Sequence, residues 1–410
     1  MKRFIFLALL ANLVVSPASF AAVSDEDIAE LREQLAAMSQ RLEQLAAENA
    51  ELRQEVSSVE SSVADVQAAE SATTSASWAD RISFKGDTRL RYESIDEEGD
   101  SGRERGRFRT RLGVTGTVNS DVKVVLQLAT GSENPVSTNQ SFDDGFSRKD
   151  IGVDLAYFDW AAADGLNVFG GKMKNPLYRA GSVPLIYDGD LNPEGLAIKY
   201  NKGVFFGNAG IFSVEERSSS SDSRLAAIQA GAKFAVGDNA QLTVGAGYFA
   251  YSDTAGNSPF YNGSAKGNSV DINGDYIYDY KNTEFFSQFD TSVGDWPLSI
   301  YGHWTKNNEV SEQHTASAFG AKIGTARNNG DMEFSWTYQD IEADAVIGTF
   351  SDSDFGGGGT DSSGHILKAK YALSEGVSLA GTYFMNEVDR FQGTEHDYDR
   401  LQLDVEFKFQ

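Results

Sequence analysis

From Ile82 onward apolar and polar positions alternate: Ile82, Phe84, Gly86, Thr88, Leu90 and Tyr92 share one parity, while Ser83, Lys85, Asp87, Arg89, Arg91 and Glu93 share the other. Period two marks a strand with one apolar and one wet face. The rhythm returns at 104–118, 121–130, 150–160, 166–174, 194–201, 204–214, 223–236, 240–252, 280–292, 297–306, 313–325, 331–343, 363–373, 377–388 and 397–409. With the first segment this predicts about sixteen antiparallel strands, and a closed single-chain barrel needs an even number. Outward sets such as Met332, Phe334, Trp336, Tyr338 or Leu401, Leu403, Val405, Phe407, Phe409 suit lipid. A soluble β-sandwich would carry polar side chains there. The fold class read from the pattern is therefore an all-β transmembrane barrel preceded by an α-helical coiled coil.

The connections alternate in length, as outer-membrane barrels require. Short links fall at Asn119-Ser120, Lys202-Gly203, Gly237-Asp238-Asn239, Gly294-Asp295 and Ser374-Glu375-Gly376, and long ones at 131–149, 175–193, 253–279 and 344–362. Both ends of the barrel segment then lie on the short-turn side, which in this architecture faces the periplasm.

Ahead of the strands the period changes. Ile28, Leu31, Leu35, Met38, Leu42, Leu45, Asn49, Leu52, Val56, Val59, Val63 and Val66 step by three and four, an a/d seam that predicts a left-handed parallel coiled coil about 60 Å long. Asn49 at an a position fixes register between Leu42 and Leu52, and Asp27 with Arg32 or Glu48 with Arg53 can pair across chains. Valine at d (Val59, Val66) crowds a dimer and favours three chains. A single amphipathic helix is the alternative, but its apolar stripe would be wider. Met1, Lys2 and Arg3, the apolar run Phe4 to Val15 and the small residues before Ala22 read as a secretory signal cut after Ala21. The expected divisions are 1–21 signal, 22–70 periplasmic coiled coil, 71–77 linker and 78–410 barrel, with the mature protein in the outer membrane.

Composition sharpens this picture. Among 410 residues there are 60 acidic against 35 basic side chains, a formal net charge of -25, which argues against a nucleic-acid partner. The absence of cysteine excludes disulfides and thiolate metal sites. Asp271, Asn273, Asp275 and Asp279 miss the glycine and closing glutamate of a calcium loop. The four histidines lack metal spacing, Gly356 to Gly359 lacks the lysine of a phosphate loop, and no nucleophile constellation stands out, so no cofactor and no enzymatic site are expected.

Parity then says what lines the water column. If Phe108, Leu112, Val114 and Val118 face lipid, then Arg103, Arg105, Arg107, Arg109 and Arg111 face inward, beside Arg89 and Arg91 of the first strand. Arg103 and Arg105, near the hairpin, have the alternative of binding lipid phosphates. Lys368, Lys370, Lys123 and Lys199 also take inward parity. So dense a positive strip needs facing carboxylates. The loop 175–193 is expected to fold into the lumen and supply a constriction with Arg179, Asp188, Asp190 and Glu194. The remaining acids, including Asp344, Asp352, Asp354 and Asp361, are expected in the external loops and the coil, away from the pore.

With these segments in place, the chain resembles the putative-porin family of Gram-negative outer membranes. The likeness is carried by Ala156-Tyr157-Phe158-Asp159-Trp160, Ala163-Asp164-Gly165-Leu166, Gly170-Gly171-Lys172-Met173 and Tyr187-Asp188-Gly189-Asp190-Leu191-Asn192-Pro193-Glu194-Gly195, and it runs from about Trp78 to the end. One departure is that Phe409 is followed by Gln410, where strands of such barrels finish on an aromatic residue. The resemblance implies a sixteen-stranded, trimeric diffusion channel without an enzymatic site. The function expected is passive passage of small hydrophilic solutes through an arginine-lined constriction favouring anions. The alternatives are an anchor or adhesin that contacts the cell wall through its coil, and a channel specific for phosphate or organic anions. A phospholipase-like enzyme is more distant.

Overall fold

The computed structural model describes residues 25–72, 78–261, 263–391 and 393–409. The expected signal segment 1–21, most of the linker and Gln410 lie outside them. The chain divides into two units between Ser77 and Trp78. In the first, helix α1 spans Asp25–Ala72, a single uninterrupted helix. Along it Met38, Leu42, Leu45, Leu52 and Val56 are exposed, as is Asn49. No described helix is long and apolar enough to cross a membrane.

The second unit is built of strands β1 Ile82–Glu97, β2 Arg103–Thr117, β3 Val122–Thr130, β4 Gln140–Ser141, β5 Ile151–Ala163, β6 Leu166–Lys172, β7 Glu194–Lys202, β8 Phe205–Glu215, β9 Ser223–Val236, β10 Ala240–Tyr251, β11 Lys281–Val293, β12 Trp296–Asn307, β13 Thr315–Gly324, β14 Met332–Ile341, β15 Ser362–Ser374, β16 Val377–Val388 and β17 His396–Phe409. Sixteen of these form the wall, each paired antiparallel with its neighbour, and β1 closes the circle by pairing with both β2 and β17. Every predicted strand is present, with ends displaced by a few residues.

The two-residue β4 went unread. It pairs with Arg107 and Phe108 of β2, where β3 reaches only as far as Arg111. The overhanging edge of β2 would otherwise present open backbone groups. Phe142, just after β4, stacks on Phe108 at 5.7 Å and completes the cover.

Outward positions carry the lipid face. Phe84, Leu90, Phe334, Trp336, Leu403 and Phe407 are all exposed, as parity requires. The inside departs from the expected open column. On β8 to β12 the inward positions Phe206, Phe212, Phe249, Tyr251, Phe286 and Tyr301 are large and apolar, and the loops 173–193 and 342–361 bring Met173, Leu185, Tyr187, Ile347 and Phe350 against them. Part of the lumen is thus a packed hydrophobic core, because apolar area on both partners leaves water when the loops fold in.

Polar contacts latch the first of these loops to the wall. The Tyr178 amide donates to Gln229 Oε1 (2.7 Å) and the Gly181 amide to Gln288 Oε1 (2.8 Å). Behind them Gln229 donates to Glu284 (2.7 Å), whose other oxygen lies 2.5 Å from His303 Nε2. Gly181 has φ +60 and lies so close to Tyr301 that a Cβ would meet its ring at 2.4 Å, so only glycine fits.

Candidate functional site

The remaining arc of the lumen is a charged wall formed by β2, β1 and β17. In register across β1 and β2, Asp87 stands opposite Arg111, Arg89 opposite Arg109, Arg91 opposite Arg107 and Glu93 opposite Arg105. On the other flank Arg91 faces Asp404 and Arg89 faces Glu406. Two cross-strand pairs are therefore arginine on arginine, an arrangement that costs stability unless other charges offset it.

Acids of the same parity do so. Asp87 accepts from Arg109 (2.7 Å) and from Arg111 (2.8 Å). Asp404 takes both forks of Arg91, at 2.7 and 2.8 Å, the bidentate geometry in which guanidinium binds carboxylate most firmly. Glu93, fully buried, is gripped by Arg105 and Arg400, with Arg107 at 3.9 Å. Lys370 pairs with Glu406 at 3.0 Å. Lys368 lies on the same inward parity of β15, and Lys123 and Lys199 make no ion pair among the described residues. Arg103 is exposed at the long-loop end, whereas Arg105 is drawn inside by Glu93.

Three loops complete the site from within. From 131–139, Asn139 accepts from Arg89 at 2.6 Å. From 173–193, Asp190 lies 3.5 Å from Arg111. From 342–361, Asp354 pairs with Arg91 at 3.1 Å and Arg400 at 2.7 Å. Although burial opposes its ionisation, Arg400 and Arg91 hold the Asp354 carboxyl well below the usual range.

Asp188 takes a different role from the one expected. Its carboxylate accepts from the amides of Asp190 (2.7 Å) and Ser353 (3.0 Å), and its own amide donates to Phe350 O (2.8 Å), so it joins two loops and does not pair with an arginine. Burial and the neighbouring Asp352 and Asp190 push its carboxyl well up. Burial and Asp354 likewise raise Asp352, to about 6. Arg179 donates to Tyr187 O at 3.2 Å and lies near Asp188, Asp352 and Asp190.

Glu194 departs from the set. It shares the outward parity of Leu196 and Ile198 along β7 and pairs with Lys172, its partner in register on β6, at 2.9 Å. The expectation that Asp344, Asp352, Asp354 and Asp361 sit clear of the pore is overturned for Asp354, which pairs with Arg91 and Arg400 of the wall. Asp344 and Asp361 are buried, and Asp344 accepts from Tyr280 (2.9 Å) and Ser269, which pins the 342–361 loop to the loop 252–280.

Asp87, Glu93, Asp404, Glu406 and Arg400 were not singled out from sequence, yet parity would have found them, since each alternates with residues already assigned to lipid. Asp352 and Asp354 carried no such signal. Among the described residues no group of side chains is arranged to hold a metal ion.

A family model described as putative porin matches residues 96–291 and again 263–409. Among solved structures, Pseudomonas putida OprB at high pH is similar with a TM-score of 0.55 and 14% identity, over 80% of this chain and 94% of that one. Salmonella typhi OmpF in complex with daunomycin gives 0.51 and 13%, over 80% and 97%. At such identities the likeness concerns the fold. Comparison with curated protein sequences gives no match. A closed sixteen-strand barrel, lipid-facing outside and charged within, agrees with the family match over most of its length: the chain belongs to the putative-porin family.

Proposed function

We propose that the chain forms an outer-membrane channel for passive diffusion of small hydrophilic solutes, with a constriction that favours anions. The observation that carries this reading is the composition of the wall facing the inserted loops. On β1, β2 and β17, Arg89, Arg91, Arg105, Arg107, Arg109, Arg111 and Arg400 outnumber Asp87, Glu93, Asp404 and Glu406, and Asp190 and Asp354 from the loops offset only part of the excess. Guanidinium groups keep their charge at every relevant pH and interact with anions through oriented donors. The negative total of the chain does not oppose this, since fields beyond about 10 Å are screened by salt.

The channel is proposed to assemble as a trimer through α1, with Leu42, Asn49 and Leu52 in the seam. Its exposed a/d stripe supports association with further copies of itself. In planar bilayers under a salt gradient, wild-type channels are expected to show an anion-directed reversal potential, which falls towards zero in the Arg107→Ala, Arg109→Ala, Arg111→Ala triple variant. An unchanged potential would refute the role of the wall.

A further inference from the structure

Above the charged wall, at the long-loop end, lies a cavity of about 770 Å³. This is the size range of pockets that hold small organic molecules and far more than an inorganic ion fills. Arg105, Arg107 and Arg400 of the wall line it, together with Arg103 and Lys266. Glu93 is the shared partner of the three wall arginines and Asp354 pairs with Arg400 as well, so two acids offset three arginines. Arg107 is the least satisfied of them. Among the described residues its one ion pair is the 3.9 Å approach to Glu93, and its buried Nε has no hydrogen-bond partner there. Arg103 and Lys266 make no ion pair among the described residues.

Two acids line the same cavity, Glu97 and Asp100, and Glu97 lies 3.1 Å from His396. The remaining lining includes the serines Ser101, Ser132 and Ser264 and the rings of Tyr261 and Tyr398, while the hydroxyls of Thr349, Ser351 and Ser353 donate to backbone carbonyls. A buried donor without an acceptor costs free energy that an incoming oxyanion would recover. Serine hydroxyls and tyrosine rings suit a hydroxylated carbon skeleton behind that oxyanion.

We propose that this vestibule is a capture site for small hydroxylated organic anions, whose carboxylate or phosphate meets Arg107, Arg103 and Lys266 and whose hydroxyls meet the serine-lined side. It concentrates such solutes before they reach the constriction. The proposal rests on the channel reading above and goes further by naming a solute class and the place that selects it.

The test is single-channel current through the full-length protein in bilayers, with gluconate, glucose 6-phosphate, glucose or inorganic phosphate added to the long-loop side. Gluconate and glucose 6-phosphate are expected to block the small-ion current saturably, and glucose and inorganic phosphate to need at least about tenfold higher concentrations. Arg107→Gln is expected to raise the half-blocking concentration about tenfold. The exposed pair Arg103→Gln and Lys266→Gln, neither of them in an ion pair among the described residues, is expected to raise it severalfold. Block that never saturates, or that is indifferent to both sets of variants, would overturn the vestibule while leaving an anion-directed reversal potential intact. Equal potency of inorganic phosphate and glucose 6-phosphate would overturn the solute class. A wild-type channel without anion preference would bring down the channel reading, and this inference with it.

Discussion

Asp87 shows how one side chain sets the field of the wall. Placed between Arg109 and Arg111, it pairs with two guanidinium groups through one carboxylate and offsets one of their two charges. Replacement by asparagine keeps the shape and removes the charge. Asp87→Asn is therefore expected to shift the reversal potential further in the anion direction and to lower stability by about 1–3 kcal/mol, since two charged hydrogen bonds weaken. Reversal potential and thermal unfolding of the detergent-solubilised protein read the two effects. Were the preference to move towards cations instead, the wall could not be the selective surface. Glu93 obeys the same logic at a deeper position, where one buried acid serves Arg105, Arg107 and Arg400. At this scale sequence already divided inside from outside, because side chains alternate along a strand. It could not say which acid meets which arginine, since Asp404 comes from the far end of the chain and reaches Arg91 only on closure.

Among the elements, the inserted loops decide the shape of the passage. The segments 173–193 and 342–361 touch through Asp188, Phe350 and Ser353, and Asp352 faces Asp188, Asp354, Arg179 and Arg400 there. An Asp352 carboxyl titrating at about 6 is charged at pH 8 and neutral at pH 5. Lowering the pH across this window removes a negative charge from the loop side, so anion preference is expected to rise, and Asp352→Asn to flatten the dependence. The sign for stability is the opposite of that for a salt-bridged acid. The folded chain holds this proton up to about pH 6 while the unfolded chain releases it near the ordinary aspartate value, so docking of the loop weakens as pH rises between them. A reversal potential that is constant from pH 5 to pH 8 in the wild type would contradict this assignment.

For the whole molecule, charge is unevenly shared. The segment 25–66 holds eleven acids against three arginines, whereas the wall collects basic side chains, so the total of -25 says little about what passes through. Association through α1 is expected to be separable from conduction. In full-length Leu42→Ser, Leu52→Ser protein, chemical cross-linking should show fewer trimers while the conductance of each channel stays unchanged. Undiminished trimers would place the contact on the barrel.

Sequence by itself indicated about sixteen strands, their inner and outer faces, the end that carries the long loops and the shared parity of Arg89, Arg91, Arg107, Arg109 and Arg111. Each follows from a period of two or from the residues that interrupt it, and both are local. Only the tertiary structure decided that aromatic positions of β8 to β12 would bind the inserted loops into a core, that β4 would cap the edge of β2, and that Asp354 would leave its loop surface for Arg91 and Arg400. Those outcomes depend on burial and charge pairing between segments far apart in the chain, which come within reach of one another only once the sheet has closed.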